Sequence, residues 1–180
     1  WEHGVYMAAT MGSEATAAAV DQAAIRRDPM AMLPFCGYNM ADYWAHWLKL
    51  GKSIENPPKI FRVNWFRKDK NGKFIWPGFG ENMRVLNWIV DRVSHTMDAS
   101  ESPFGYMPRH QDLNWDGLEF LSDDFEDIMN IEREKGIAEA DAQSDLFDRF
   151  EDRLPQEMEA QREALKKRLE SAPPVWQAGR

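Results

Sequence analysis

A single cysteine, Cys36, excludes an internal disulfide, and it has no neighbour at metal-ligand spacing. That usage suits a reducing compartment, and Cys36 is expected as a buried apolar filler. Histidine is nearly as scarce: His3, His46, His95 and His110 are scattered, so no metal site is expected from them. No run approaches the ~20 consecutive apolar residues of a membrane span, and the start shows no basic region followed by an apolar run. The expectation is a soluble, unsecreted, cytoplasmic protein with no membrane partner. There is no Gly-x-Ser-x-Gly elbow, no phosphate-loop motif, and no evident base for Cys36, which leaves independent nucleophilic catalysis without a candidate. Positive charge is in deficit, with 22 Lys and Arg against 30 Asp and Glu and a net charge of -8. This argues against nucleic acid as a partner, because phosphate backbones bind basic surfaces.

What is present suffices for a core. A chain of 180 residues that is 43% hydrophobic and 12% aromatic fits one ordinary domain. The charge is uneven. Residues 112 to 163 are rich in Asp and Glu, while Arg62, Arg67, Lys68, Lys70, Lys73 and Arg84 form a basic stretch where an anion is expected to bind. The first residue is Trp1, and the run to Thr10 reads like the interior of a folded chain, so a fragment is expected.

Periodicity divides the chain. The small apolar run Val5 to Met11 leads into Ser13-Glu14-Ala15-Thr16-Ala17-Ala18-Ala19, which composition alone allows as a short helix or as a segment approaching a ligand closely. Asn39 to Leu50 has Tyr43, Trp47 and Leu50 on one stripe, with Trp44 and Leu48 beside it, which predicts an amphipathic helix stopped by Gly51. Lys59 to Phe66 alternates as a strand after Pro57-Pro58. Asn71-Gly72 predicts a two-residue turn returning Phe74-Ile75-Trp76 antiparallel, ended by Pro77-Gly78. Gly80 to Val93 carries Met83, Leu86, Ile89, Val90 and Val93 at helical spacing. Residues 94 to 117 read as a packed surface excursion, residues 141 to 153 as helical, and Leu154-Pro155 as the opening of a final helix. The tail 173–180 is expected to be loose.

The hairpin and its following helix hold the residues a purine requires. A base needs aromatic plates for its faces, and donors and acceptors at fixed places on its edge. Phe66, Phe74 and Phe79 supply rings, and stacking on such a ring contributes ~1–3 kcal/mol without regard to which base it is. The edge must set identity, and Asn82 carries a donor and an acceptor side by side. Gly78 and Gly80 let the backbone pass close to a ring at Phe79, with Glu81 next to them. In a two-residue turn Phe66 shares a face with Pro77, and Phe74 lies on the opposite face. Three phenylalanines around a hairpin are also a common core pattern, and spacing alone leaves both readings open.

A longer pattern sets these residues in a family. Asn64-Trp65-Phe66-Arg67-Lys68, then Phe74 through Asn82, then Arg84-Val85-Leu86, resembles the guanine-binding signature of the GTP-dependent phosphoenolpyruvate carboxykinases. The resemblance extends upstream through Phe35-Cys36-Gly37-Tyr38-Asn39, Asp28-Pro29-Met30-Ala31-Met32 and the Ser13 to Ala19 run. It covers about residues 1 to 95 strongly and weakens to a general pattern beyond Gly105-Tyr106-Met107-Pro108. Two departures are Ala8 and Gly12, where many relatives carry glycine and sometimes arginine, and Val20 to Ile25, which lacks the glycine of many lids.

The resemblance implies a mixed α/β fold, the C-terminal part of the carboxykinase nucleotide-binding domain over residues 1–172, with a hairpin and several helices. It implies that Phe66 and Phe79 sandwich guanine with Phe74 nearby, that Asn82 binds the polar edge, and that Gly80 and Glu81 shape the loop. It implies a mobile lid over about 13–25, beginning Ser13, Glu14, Ala15, Thr16, Ala17, Ala18, Ala19, and a guanine site over about 64–82. The implied ligands are GTP or GDP and oxaloacetate or phosphoenolpyruvate, with Mn2+ and Mg2+ held by ligands outside this sequence. The implied protein is a monomeric gluconeogenic enzyme, inactive as this fragment alone. The competing expectation is a non-catalytic nucleotide- or partner-binding module derived from the same fold.

Overall fold

The computed structural model describes residues 1–13 and 26–178. Its helices in chain order are α1 (Glu2–Ala9), α2 (Met40–Ser53), α3 (Asn82–Val93), α4 (Ser122–Met129), α5 (Arg133–Ala142), α6 (Ser144–Phe147) and α7 (Gln156–Ser171). The strands are β1 (Gly12–Ser13), β2 (Arg26–Arg27), β3 (Ser100–Ser102), β4 (Gly105–Met107), β5 (Ile131–Glu132) and β6 (Val175–Trp176). They pair antiparallel as β1 with β2, β3 with β4 and β5 with β6, so the chain is mixed α/β as expected. It divides into two compact units, Trp1–Arg62 with Ala138–Lys166, and Val63–Ile137 with Lys167–Arg180.

In the first unit, α2 begins where the Asn39 side chain accepts from Ala41 N at 2.9 Å, satisfying one of the orphan donors of a helix start. Its buried face is Met40, Ala41, Trp44 and Leu48, whereas Tyr43, Trp47 and Leu50, expected as the main stripe, are only half-buried. Both stripes are apolar, and packing selects between them. Trp44 meets Phe147 and Phe150 edge-on, with centroids 6.1 and 4.6 Å away, while α1 buries Val5, Tyr6 and Ala9 in the same core. Gly51 does not stop α2, which runs on to Ser53. Instead, Trp1 passes over Gly51 while donating its indole N–H to Trp47 O at 2.8 Å.

The two-residue ladder Gly12↔Arg27 and Ser13↔Arg26 closes the ends of the 14–25 segment, which itself lies outside the described residues. Arg27 holds this stem to the unit, its guanidinium donating to both carboxylate oxygens of Glu139. Buried Tyr6 donates to Gln143 Oε1 at 2.5 Å one turn further on. Cys36, expected to be buried, is only partly so, and its thiol donates to Tyr38 O at 3.3 Å.

The second unit buries Trp76, Trp88, Leu113, Phe120, Phe125, Ile131 and Leu169. Leu169 of α7 fits against Gly136 of α5, where a β-carbon would stand 2.6 Å from its Cδ2. The tail expected to be loose from Pro173 is paired instead, with Val175 opposite Glu132, Trp176 opposite Ile131, and Arg133 N donating to Pro174 O at 3.0 Å. Backbone donors on β5 give this short segment a ladder that composition does not announce.

Two further expectations are corrected here. Residues 59–66 form no strand ladder, because strand assignment needs a hydrogen-bonded neighbour and none faces them among the described residues. On α3 the expected core stripe is turned outward: Met83, Leu86, Val90 and Val93 are exposed, and Trp88 is the buried residue. Tryptophan carries the largest apolar side chain on this helix, and the helix is turned so that it, and not the aliphatic stripe, is buried.

Candidate functional site

The turn of the hairpin determines which rings share a face. Lys68 pairs with Phe74, Asp69 N donates to Lys73 O at 2.8 Å, and Ile75 N donates to Arg67 O at 3.0 Å. The loop therefore spans Lys70, Asn71 and Gly72, one residue more than the two-residue turn expected from Asn71-Gly72. Gly72 takes φ +80°, the left-handed residue that closes a three-residue loop. The Asp69 carboxylate caps the turn, accepting from Asn71 N at 2.8 Å and Lys73 N at 2.9 Å. The Lys73 backbone N–H is the main cause of the lowered Asp69 pKa.

That extra residue corrects the expected register. Phe66, Lys68 and Phe74 now lie on one face, with the rings of Phe66 and Phe74 edge-on at 6.0 Å and Lys68 Nζ 5.1 Å from the Phe74 centroid. Both rings are open to solvent, Phe66 at 62% and Phe74 at 48% exposure. Phe74, expected on the opposite face in the two-residue register, is thus beside Phe66.

Beyond the return, Gly78 has φ +133°, which side chains rarely adopt, and it turns the chain into the short 3-10 helix Phe79–Glu81. Phe79 projects from this turn at 92% exposure, far more than packing alone would leave to a phenylalanine. A β-carbon on Gly80 would meet nothing within 4 Å, so the protein's own packing does not demand glycine there. Glu81 accepts from Arg84 Nε at 2.6 Å, and the same guanidinium donates to Asn114 O at 2.5 Å and Asp116 O at 3.0 Å. Asn82 opens α3, and its Oδ1 accepts the indole N–H of Trp76 at 2.8 Å.

The basic stretch is less available than its charge suggests. Arg67 is half-buried and donates to Ile128 O at 3.1 Å, Asn130 O at 2.8 Å and the Asn130 side chain. Burial lowers its pKa, while Glu132 and Asp127 oppose that shift. Arg84 is engaged by Glu81 and two carbonyls. These two cations brace the loops, leaving Lys68, Lys70 and Lys73 toward solvent on the hairpin.

The other expected residues fall elsewhere. Ser13 stands in β1 opposite Arg26, and Glu14, Ala15, Thr16, Ala17, Ala18 and Ala19 lie outside the described residues. The sequence pattern includes Trp76 and Arg84 but does not announce their contacts with Asn82 and Glu81. The available signal was chemical: a tryptophan on the edge of a turn needs an acceptor, and an arginine three residues after Glu81 can reach it on a helix.

The comparisons with known proteins agree on a family. The model of the phosphoenolpyruvate carboxykinase C-terminal P-loop domain matches residues 1–168, which defines the class as part of that C-terminal domain. Phosphoenolpyruvate carboxykinase (GTP) of Anaeromyxobacter dehalogenans is 47% identical over 173 residues, 96% of this chain and 29% of that protein. Proteins of the same name from Treponema pallidum and Thermoplasma volcanium are each 46% identical over 94% of this chain and 28% of their own length. The chain belongs to the GTP-dependent phosphoenolpyruvate carboxykinase family, and it spans under a third of the length of these relatives.

Proposed function

We propose that this chain is the guanine-binding, C-terminal portion of a phosphoenolpyruvate carboxykinase (GTP). Residues 1–172 belong to its nucleotide domain, about 13–25 to its lid and about 64–82 to its base site. One observation carries the reading: Phe79 stands almost fully in water beside Asn82, whose amide is held at one end. An exposed ring on a turn opened by a glycine at positive φ fits a plate awaiting a planar ligand. In this reading Phe66 and Phe79 take the two faces of guanine, Phe74 borders Phe66, and Asn82 meets the polar edge. Gly80 leaves room for the base, and Glu81, tied to Arg84, holds the loop.

The complete polypeptide decarboxylates oxaloacetate and passes the terminal phosphoryl group of GTP to the enolate oxygen, yielding phosphoenolpyruvate, GDP and carbon dioxide. This chain binds and orients the nucleotide through its base, and the lid excludes water, which would otherwise protonate the enolate. The Mn2+ and Mg2+ of the family find no fit here, since among the described residues no three His, Cys, Asp or Glu side chains converge. We therefore assign their ligands, and every step that needs them, to the rest of the polypeptide. A cytoplasmic, monomeric gluconeogenic enzyme completes the proposal. Among the described residues no helix is long and apolar enough to cross a membrane.

Calorimetry on the complete polypeptide, comparing GDP with ADP, tests the base site. Phe79→Ala should weaken GDP about tenfold or more, since one stacking contact contributes ~1–3 kcal/mol. Stability should move by less than ~0.5 kcal/mol, as for an ordinary surface substitution. Equal binding of GDP and ADP, or no loss with Phe79→Ala, would overturn the assignment and favour a non-catalytic module.

A further inference from the structure

We propose that Trp76 is a specificity-determining positioning residue: its indole N–H, donated to Asn82 Oδ1 at 2.8 Å, fixes which end of the Asn82 amide faces the base. The inference rests on the base-site reading above and adds to it the atom that sets the direction of recognition.

An indole nitrogen only donates. The Asn82 atom facing it must therefore be the acceptor, Oδ1, and Nδ2 with its two N–H groups is turned away from Trp76. A purine with an oxygen at position 6 accepts from those N–H groups. A purine with an amine at that position sets a donor against a donor, and the unmade bond in a desolvated site discriminates against it. An amide free to turn half a revolution about its last bond would present its oxygen to the amine and accept either purine. The Trp76 bond forbids that turn.

The indole is in turn held in place. Trp76 is 6% exposed, with Trp65 at 5.7 Å, Phe120 at 6.0 Å and Trp115 at 6.5 Å between ring centroids. Trp115 stacks on Phe120 at 4.9 Å and donates to His110 O at 2.8 Å. A ring wedged among three others does not redirect its N–H without disturbing all of them. On the other side, Asn82 is placed by the turn that Gly78 begins, where Glu81 N donates to Gly78 O at 3.1 Å. The donor and the acceptor are thus fixed separately, and the hydrogen bond between them is a consequence of the fold.

The experiment uses the complete polypeptide and measures GDP and ADP dissociation constants by calorimetry. Trp76 is replaced by benzothienylalanine, which keeps the bicycle and deletes the N–H, and in parallel by Trp76→Phe. Each replacement is combined with Asn82→Ala, and Trp65→Phe serves as a packing control. Both Trp76 replacements are expected to cut the GDP-over-ADP preference about tenfold, chiefly by strengthening ADP. They should add nothing once Asn82 is alanine, and Trp65→Phe should leave the preference intact. If the preference survives loss of the N–H while Asn82→Ala abolishes it, the inference is wrong and the base site stands. A fall that persists in the Asn82→Ala background, or that Trp65→Phe reproduces, assigns the effect to ring packing and also overturns it. If the unaltered protein shows no GDP preference, or Asn82→Ala leaves that preference unchanged, the base-site reading itself fails and the inference falls with it.

Discussion

Trp1 lies so close to Gly51 that a β-carbon at that position would stand 2.0 Å from its Cδ1. The contact is braced by the Trp1 hydrogen bond to Trp47 O and by stacking of the two rings at 5.4 Å. Replacing an interior helical glycine with alanine ordinarily gains up to about 1 kcal/mol. Here the steric term should win, with overpacking of ~1–3 kcal/mol. Gly51→Ala is expected to lower the denaturant midpoint, and a raised midpoint would show that Trp1 yields at little cost.

Arg67 links the hairpin to the end of α4 through the carbonyls of Ile128 and Asn130. Arg67→Met keeps most of the apolar stem but leaves those acceptors unmatched, at ~1–3 kcal/mol. Arg67→Lys should restore only part of this, since one ammonium cannot span the acceptors a planar guanidinium reaches. Chemical denaturation of the three proteins checks the order, and full rescue by lysine would contradict it.

The Asp69 turn should be acid-sensitive. Its folded pKa lies below its unfolded value of about 3.9 because the ionised carboxylate accepts from Lys73 N and Asn71 N. The stabilisation is complete above the unfolded value and disappears as pH falls through the lower folded one. Protection factors at the Asn71 and Lys73 amides, taken relative to the intrinsic exchange rate at each pH, should fall over that window, and Asp69→Ala should abolish that change in protection. Protection that stays constant with pH in the unaltered protein would count against the cap.

Arg84 joins Glu81 to the carbonyls of Asn114 and Asp116, bracing the far side of the proposed base loop. Arg84→Ala is expected to weaken GDP about fivefold through a loosened loop, near 1 kcal/mol. Because the residue does not read the base edge in this arrangement, the GDP-over-ADP ratio should hold. A changed ratio measured by calorimetry would place Arg84 at the base itself.

Much of the organisation is legible locally. Pro155 just ahead of α7, Asn39 at the start of α2 and Gly72 in the hairpin turn each act through neighbours a few residues away, so their signals survive without the fold. The family resemblance is legible for a similar reason, being a contiguous run from Asn64 to Leu86. Legibility fails where distant packing decides. The apolar pattern of α3 contains both Trp88 and the Met83, Leu86 and Val90 stripe, and periodicity cannot say which faces inward. The single extra residue in the hairpin loop changed the side of Phe74, because a one-residue slip moves each side chain to the other face.

The sequence by itself determined the family, the mixed α/β composition and the identity of the candidate base-site residues, since these depend on residue types in contiguous order. Only the tertiary structure decided that Phe66 and Phe74 share a face, that Arg67 and Arg84 are spent on carbonyls, and that Trp76 holds Asn82. Those relations depend on turn length and on which of several equally apolar faces is buried. The turn length is set by the hydrogen bonds around Asp69, which the Asn71-Gly72 pair alone does not specify, and the buried face is set by long-range packing.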